Sequence, residues 1–363
     1  WNMGKLPWRP GQQPVMCRQG QGMRNIIGIT MGDPASIGPE ITVKALLRPS
    51  LYEMCRPVVA GDLAIMEETV SRMGADIKLR GIKRVEDGAF CFGTIDVLEV
   101  TGLGKGRIVP GQMSREAGDA SFRYVDKVIE LALAGKIDAT VTNAISKEAV
   151  NLAGHFYSGH TEIYAEKTHA GHYAMMLVYN GLRVIHVSTH VSLREACSRV
   201  KKGRVLEVIR LADRTMAELG IARPAIGVAG LNPHSGEHGM FGREEITEII
   251  PAVEAAKKEG IRAEGPVPPD TVFSKALGGW YDIVVAMYHD QGHIPLKVKG
   301  FVYSREEEKW QAVEGVNITL GLPVIRTSVD HGTAFDQAGM GTASERSLVN
   351  AIEYAVKMAK GNK

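Results

Sequence analysis

The eleven histidines of this 363-residue chain all lie between His155 and His331, so the first 154 residues contain none. Histidine is the side chain that most often binds metals or moves protons near neutral pH, so this asymmetry could mark where chemistry is done. His160, His190 and His289 each follow a strand-like run, where α/β proteins assemble their sites. Each alone is more typical of a buried, hydrogen-bonded histidine. Together they allow a three-histidine metal site that leaves positions open for substrate oxygens.

Two carboxylates lie near the ends of strand-like runs. Asp290 follows His289 directly, and Asp270 stands in the run Pro268–Thr271. Either could orient a metal-bound histidine or act as a base. Both positions are equally typical of residues that cap a helix.

Basic and amide side chains in Gly- and Pro-rich surroundings form a further set: Lys147, Lys297, Asn317 and Arg326. A phosphate or carboxylate ligand needs such donors, and arginine can bind it with two parallel hydrogen bonds. Surface ion pairs are the alternative interpretation. A turn-like run, Asp330–Ala334, follows the strand-like run Val324–Ser328.

The segment Gly32–Glu40 joins a strand-like run to a helical one. Glycine permits close backbone approach, Pro39 suits the first turn of a helix, and a helix N-terminus favours anions. An ordinary strand-to-helix turn explains the segment equally well. It matches neither the GxGxxG nor the Walker pattern, so the common nucleotide-binding motifs are absent.

Short β-rich runs alternate with helical spacing along the chain. Phe122, Val125, Ile129 and Ala132 fall at helical spacing, and so do Val205, Ile209, Ala212, Met216 and Leu219. Several β-rich runs are apolar on both faces, as in buried parallel strands. These runs are Ile26–Thr30, Pro57–Gly61, Ile95–Val100, Ile137–Thr142, Ala174–Tyr179, Arg183–Ser188, Ala225–Ala229 and Asp282–Ala286. The alternation predicts an α/β protein with a largely parallel sheet.

Composition excludes several classes of protein. Lys plus Arg number 43 against 41 Asp plus Glu, a net charge of +2 without long basic runs, which argues against a nucleic-acid partner. No apolar run approaches the roughly 20 residues of a membrane-spanning helix. The four cysteines never form a CxxC pair, which indicates separate thiols and a cytoplasmic location. The length suggests about two domains.

Two segments differ from the rest. Residues 1–24 begin with Trp1, are rich in Gly, Gln, Pro and Arg, and are expected to be a leader or tag-like segment. The run Val302–Glu314 (VYSREEEKWQAVE) is strongly charged, and we expect it to form a short exposed helix inserted into a loop.

The chain resembles the PdxA family, named for 4-hydroxythreonine-4-phosphate dehydrogenase, from Asn25 to Ala359. The resemblance is carried by long motifs in the family's order: Met31–Pro34, Ile37–Glu40, Gly159–Glu162, Gly230–Glu237, Ala286–Gly292, Gly315–Pro323 and Arg326–Ala334. It implies a homodimer of two-domain α/β/α subunits similar to isocitrate and isopropylmalate dehydrogenases, with the active site in the interdomain cleft. The first domain would comprise residues 25–140 plus 341–363. The second, residues 141–340, would carry the metal ligands and the dimer interface.

The resemblance also assigns site residues. It implies a divalent metal held by His160, His190 and His289 and shared between subunits, with zinc, cobalt, manganese or magnesium all open. Substrate contacts fall on Ser146, Lys147, Lys297, Asn317 and Arg326. The family binds NAD without a Rossmann loop, which places the cofactor against Gly32, Asp33, His331, Gly332, Thr333 and Ala334.

Two departures from the family pattern bear on the substrate. Many members have His or Asn where this chain has Ser146, and the vitamin B6 enzymes have only a very short link in place of Val302–Glu314. Both features resemble the family's second branch, which acts on D-threonate or D-erythronate 4-phosphate. The expected reaction is therefore NAD-dependent oxidation at C3 and loss of CO2, giving dihydroxyacetone phosphate.

The base that removes the hydroxyl proton is left open between Lys147, Asp270 and Asp290. The nearest alternative keeps the chemistry but acts on 4-phosphohydroxy-L-threonine in pyridoxal phosphate synthesis. More distant alternatives are dehydrogenation of a cyclic carboxylated diol, an acyl-phosphate transferase or metal-dependent hydrolase on the same scaffold, and a non-catalytic binding protein.

Overall fold

The computed structural model describes residues 24–306 and 309–361. Its strands are β1 Ile26–Thr30, β2 Arg56–Gly61, β3 Lys78–Ile82, β4 Thr94–Glu99, β5 Ala139–Thr142, β6 Ala174–Tyr179, β7 Leu182–His186, β8 Ile226–Ala229, β9 Ala263–Val267, β10 Ile283–Ala286, β11 Phe301–Ser304, β12 Lys309–Val313, β13 Val316–Leu320 and β14 Arg326–Val329. Its α-helices are α1 Gly38–Leu46, α2 Pro49–Met54, α3 Leu63–Met73, α4 Arg115–Leu133, α5 Lys147–Leu152, α6 His160–Lys167, α7 Leu193–Arg199, α8 Lys202–Glu218, α9 Ile250–Lys258, α10 Pro269–Leu277, α11 His289–Gly300 and α12 Arg346–Gly361.

Twelve of these strands form one continuous sheet in the order β3-β4-β2-β1-β5-β14-β13-β6-β7-β10-β8-β9. Its neighbours are parallel except at β14/β13, β13/β6 and β6/β7. Three reversals leave two parallel groups that point in opposite directions. The first group is β1–β5 with β14, and the second is β7–β10. Site residues collect beyond the carboxyl ends of parallel strands. A site could therefore form at the carboxyl ends of either group.

The predicted α/β class and largely parallel sheet are confirmed. Strand β1 coincides with its predicted bounds, and Ile27 and Ile29 are fully buried in the main hydrophobic core. The helical spacing that begins at Phe122 lies in α4, whose buried face packs on the first parallel group. Helix α8 likewise ends at Glu218, just before Gly220. Apolar periodicity therefore identified the elements that bury the most surface.

The prediction of a helix over Val302–Glu314 is wrong. The backbone there forms the antiparallel pair β11 and β12, with Arg305 and Glu306 in the turn between them. Residues of high β-propensity, including Val302, Tyr303 and Trp310, flank the charged run on both sides. The charges therefore mark a turn between two strands. Residues 1–23 of the expected leader segment lie outside the described residues.

The prediction of four separate thiols is also wrong at one position. Cys55 and Cys197 are free thiols, but Cys91 is disulfide-bonded. No helix in the described part of the chain is long and apolar enough to span a membrane.

The C-terminal helix α12 packs on the first parallel group, against β14 and β5. Leu348 and Ile352 are fully buried there, and the Thr327 hydroxyl donates to the Ala351 carbonyl at 2.8 Å. The final helix thus packs beside β5, a strand of the first half of the chain. The exact domain boundaries at residues 140 and 341 stay a prediction.

Candidate active site

The loops that follow β1, β5 and β14 are joined by hydrogen bonds at one edge of the sheet. The Asp33 amide donates to the Ala144 carbonyl at 3.0 Å, and the Ile37 amide donates to the Thr333 carbonyl at 3.2 Å. Gly32 has a φ of +79°, and a Cβ there would lie 2.7 Å from that of Asn143. Only glycine fits this approach, so the GDP motif closes the first loop onto the second.

The Asp33 carboxyl is enclosed by this junction. Oδ1 accepts a hydrogen bond from the Ala35 amide at 2.9 Å, and the Ser146 amide also lies close to the carboxyl. Burial raises the pKa of this carboxyl to about 6. The ionised carboxylate is therefore disfavoured in the folded protein.

This raised pKa predicts a pH-dependent difference between Asp33→Asn and the wild type. From about pH 4 to pH 6, the unfolded chain releases the Asp33 proton while the folded chain retains it, so wild-type stability falls as pH rises through this window. Relative to the wild type, Asp33→Asn should gain about 2–3 kcal/mol of unfolding free energy between pH 4 and pH 7. Urea unfolding of both proteins at several pH values measures the difference. Parallel stability curves would refute the assignment.

Helix α1 holds the loop that carries the predicted cofactor residues. The buried Glu40 carboxylate accepts hydrogen bonds from the amides of Gly339 and Gly341. Lys44, one turn later, donates to the carbonyls of Gly341 and Ala343 at 2.8 and 2.5 Å. The IGPE motif therefore begins a helix and also fixes the segment that follows His331–Ala334.

A buried arginine without a carboxylate partner lies beside α6. The guanidinium of Arg326 donates to the hydroxyls of Thr319 and Thr142, both at 2.9 Å. It forms no ion pair within the described parts of the chain, and its Nε has no hydrogen-bond partner there. Burial lowers its pKa to about 10, so it is still protonated at neutral pH. Tyr164 and Glu162 lie near enough to favour the charged form, and a bound anion would complete the compensation that a buried cation needs.

His160, the first residue of α6, faces this cation. Its Nε2 is buried and unpaired among the described residues, and its pKa lies well below the ordinary value because of burial and because Arg326 and Lys147 are close. Burial, and then the nearby Lys147, also lower the pKa of His190. Two cations, Arg326 and Lys147, therefore lie near His160, together with the Glu162 carboxylate.

The remaining predicted substrate contacts occupy different environments. Lys297 on α11 lies 3.6 Å from Asp330 and over the Phe301 ring at 4.3 Å. The Asn317 amide nitrogen is 3.1 Å from the Met175 sulfur, and its buried oxygen has no partner in the described residues. Ser146 caps α5 by accepting a hydrogen bond from the Ala149 amide at 3.2 Å.

Further histidines lie beyond the carboxyl ends of the second parallel group. His190 follows β7 and His289 follows β10, and their ring centroids are 5.7 Å apart. The Nδ1 atom of His289 lies 2.7 Å from Oδ1 of Asp290. That contact leaves Nε2 of His289 as its free nitrogen, which is the arrangement of many metal-bound histidines.

The loop after β8 contains a histidine, His234, for which the sequence predicts no function. β8 is the neighbour of β10, so His234 in this loop shares an edge with His190 and His289. Every residue from His234 to His238 has a positive φ, and the buried Glu245 carboxylate holds the loop through the amides of Leu231 and Asn232. Such a run is strained for residues other than glycine, and strain of this kind concentrates at functional sites. The position of His234 after a predicted strand, within the GLNPHSGE motif, is the sequence signal that could have identified it as a site residue.

The structure does not bring all predicted site residues together in one chain. Among the described residues, no group of three His, Cys, Asp or Glu side chains is placed to hold a metal ion. Asp270 is exposed on α10, and Asp290 is exposed beside His289. The assignment of the metal ligands and of the base therefore stays a prediction.

The molecule is thus an α/β protein whose mixed sheet carries a buried arginine and a cluster of histidines in the loops and helices around it. The family described as "Pyridoxal phosphate biosynthetic protein PdxA" matches residues 53–355. The D-threonate 4-phosphate dehydrogenase of Cupriavidus necator is 48% identical over 335 residues, covering 92% of this chain and 97% of the relative. This chain belongs to the PdxA family.

Other relatives carry the family's second activity name. The 4-hydroxythreonine-4-phosphate dehydrogenase of Desulforapulum autotrophicum is 44% identical over 337 residues, covering 93% of this chain and 96% of the relative. The crystal structure of a 4-hydroxythreonine-4-phosphate dehydrogenase from Klebsiella pneumoniae matches with a TM-score of 0.81 and 43% identity, covering 92% of this chain and 99% of that one. These relatives are dehydrogenases, and the family resemblance expected from the motifs is confirmed.

Proposed function

We propose that this protein is an NAD-dependent dehydrogenase that oxidises and decarboxylates D-threonate or D-erythronate 4-phosphate to dihydroxyacetone phosphate and CO2. The observation that carries the proposal is the buried Arg326 guanidinium, which has no carboxylate partner among the described residues. A dianionic phosphate is the ligand that such a cation binds most strongly. The 48% identity to a relative named D-threonate 4-phosphate dehydrogenase supports the sugar-acid substrate.

The chain's own residues would bind and orient this substrate. Arg326, Lys297 and Asn317 are proposed to hold the phosphate, with Lys147 and Ser146 beside them. His160 is proposed to extend the same pocket, since Arg326 and Lys147 lie near it. Fixing the phosphate and the carboxylate at separate points would present a single hydroxyl for oxidation.

Two residues that would hold a divalent cation lie together beyond the second parallel group. His190 and His289 are neighbours, and the Asp290 contact leaves Nε2 of His289 free. When bound there, a divalent cation supplies a Lewis acid for a substrate hydroxyl, and NAD supplies the hydride acceptor. Lys147, Asp270 or Asp290 would take the hydroxyl proton. Loss of the C1 carboxylate as CO2 then leaves an enol, which is protonated at C2.

We further propose a homodimer in which the partner subunit completes the metal site. The two histidines leave the site incomplete within one chain, and no three-ligand group exists in the described residues. Helix α11, which begins at His289, exposes Ile294 and Val298 one turn apart, and this apolar stripe suits a subunit contact. A cytoplasmic location fits a phosphorylated metabolite as substrate.

The decisive experiment compares substrates on purified protein with NAD and Zn²⁺, Co²⁺, Mn²⁺ or Mg²⁺. D-threonate 4-phosphate, D-erythronate 4-phosphate and 4-phosphohydroxy-L-threonine are supplied in turn, and reduced cofactor is followed by absorbance. We expect the highest kcat/KM with one of the two sugar acids and release of CO2 in equal amount. Faster turnover of the amino acid than of both sugar acids would assign the protein to the second activity of its relatives. Absence of NAD binding by calorimetry would instead favour an acyl-phosphate transferase or hydrolase.

The third metal ligand is decided by a matched pair of variants. His234 is favoured over His160, because His234 lies in the strained loop after β8 whereas His160 faces the Arg326 cation. His234→Asn should therefore lose bound metal, whereas His160→Asn should keep the metal and show a KM about 10-fold or more higher. Metal content per chain and steady-state kinetics measure both. The opposite pattern would restore His160 as the ligand.

A mixing experiment tests whether the metal site is shared. If His234 comes from one subunit and His289 from the other, a mixed dimer of His234→Asn and His289→Asn chains contains one intact site. Random mixing of two inactive variants should then restore about a quarter of wild-type activity. No recovery in dimers shown to have exchanged subunits would place both histidines in one chain.

A further inference from the structure

Two buried histidines that the proposed mechanism does not use lie directly behind the proposed metal site. His293 stacks on the ring of His289, with centroids 3.6 Å apart and planes 13° from parallel. His186, at the end of β7, lies 4.7 Å from His293 on centroids. Together with His190 they form a row of four imidazoles, His186, His293, His289 and His190, that runs from the core to the surface. We refer to it as the histidine row.

Both buried rings of the row are fixed by backbone carbonyls. Nδ1 of His293 donates to the carbonyl of His289 at 2.9 Å, and Nδ1 of His186 donates to the carbonyl of Met175 at 3.2 Å. A carbonyl oxygen can only accept, so each ring carries its proton on Nδ1. Both side chains are buried, at 6% and 1% exposure. Neither ring can rotate without breaking its hydrogen bond inside the core.

Gly292 makes the contact between the two elements possible. A Cβ at this position would lie 2.4 Å from Nε2 of His186 and 2.7 Å from a methyl group of Val184. The backbone of α11 therefore packs directly on β7, and His293 lies between His186 and His289. The position of the exposed end of the row thus depends on the packing of its buried end.

We propose that His293 is a positioning residue that holds the imidazole of His289 in the orientation required for metal binding, with His186 supporting it from behind. This inference rests on the proposed metal site. Asp290 contacts the His289 ring at its edge, through Nδ1, whereas His293 stacks on one face of the same ring and limits its tilt. A flat ring is needed at residue 293 because an aliphatic side chain of similar volume does not restrain the tilt of its neighbour.

The test compares His293→Leu with His293→Phe, which keeps a flat ring. After removal of metal by a chelator, Zn²⁺ and Co²⁺ affinities are measured by calorimetry, and the Co²⁺ absorption spectrum reports ligand geometry. We expect His293→Leu to weaken metal binding by about 10-fold or more and to alter the spectrum, as loss of residues that support metal ligands does. His293→Phe should stay within about 3-fold of the wild type.

His155→Leu is the matched control. His155 stacks on Phe122 at 3.8 Å and 13°, the same geometry outside the histidine row. Its loss should remove a stacked ring while leaving metal affinity unchanged. Wild-type affinity in His293→Leu would overturn the proposal. Equal losses in the Leu and Phe variants would also overturn it, because the ring nitrogen rather than the stacking would then be responsible.

A metal-free measurement separates this inference from the proposed function. In protein labelled with ¹³C-histidine, the His289 ring signal, assigned with His289→Asn, should show an upfield ring-current shift that is lost in His293→Leu and retained in His293→Phe. If the wild type binds no metal but shows this pattern, the metal site fails and the positioning role stands. If the His289 signal is unchanged in His293→Leu, the positioning role fails.

Discussion

Arg326→Gln is expected to lower kcat/KM for the phosphorylated four-carbon acid by about 10³-fold, because it removes the buried cation proposed to bind the phosphate. The variant should fold normally. The wild-type guanidinium is buried without an ion-pair partner in the described residues, so its removal orphans no carboxylate, and glutamine can still bond to Thr319 or Thr142. We expect an unfolding free energy equal to or above that of the wild type. Steady-state kinetics and urea unfolding measure the two effects.

A substrate without a phosphate serves as the control for this loss of kcat/KM. Turnover of non-phosphorylated D-threonate, however slow, should be unaffected by Arg326→Gln, because that acid lacks the group Arg326 is proposed to bind. Arg183→Gln provides a matched control, since Arg183 lies near the start of β7 and donates to the carbonyls of Gly181 and Asp282. An equal loss with both acids would mean that Arg326 binds the carboxylate instead.

His289→Asn should abolish metal binding and lower kcat by at least about 10³-fold, because His289 is the proposed ligand whose orientation is fixed on two sides. Asp290→Asn should have a smaller effect, a 10- to 100-fold loss of metal affinity, since it removes only the negative charge of the group that accepts from Nδ1. Metal content per chain and titration of the apoprotein with Zn²⁺ measure both.

The exposed His172 supplies the control for this series. It lies 3.2 Å from Glu207 on the surface, and His172→Asn should leave metal content and activity at wild-type values. Full activity of chelator-treated wild-type protein with no residual metal would contradict the metal requirement itself.

Much of the fold could be predicted from local pattern. Runs such as Ile26–Thr30 are buried on both faces, and long amphipathic helices such as α4 bury one, so periodicity alone identifies them. The pattern failed at residues 302–314, where charges in a hairpin turn imitate a solvated helix. Strands β3 and β9 were missed because they contain no apolar run, since each combines a glycine with one or more charged residues.

The candidate site was predicted less completely because it depends on strand order. His160, His190 and His289 were grouped by residue type and by resemblance, but nothing local shows that β7, β10 and β8 are adjacent. That adjacency brings His234 to the edge of His190 and His289. The roles of Glu40 and Glu245 could not be predicted either. Each carboxylate accepts hydrogen bonds from backbone amides that come close to it only in the folded chain.

The pairing of β14 with β5 has a consequence for folding during synthesis. Strand β5 is completed at Thr142, but its neighbour β14 and the covering helix α12 come from the last part of the chain. At ribosomal rates of roughly 5–20 residues per second, the nascent chain carries an open, apolar edge at β5 for about 10–40 s. Until Val329 has emerged, Ala139 and Val141 lack the strand that pairs with β5 in the finished sheet. A chaperone that shields this edge during translation would therefore act on the half of the molecule that was made first.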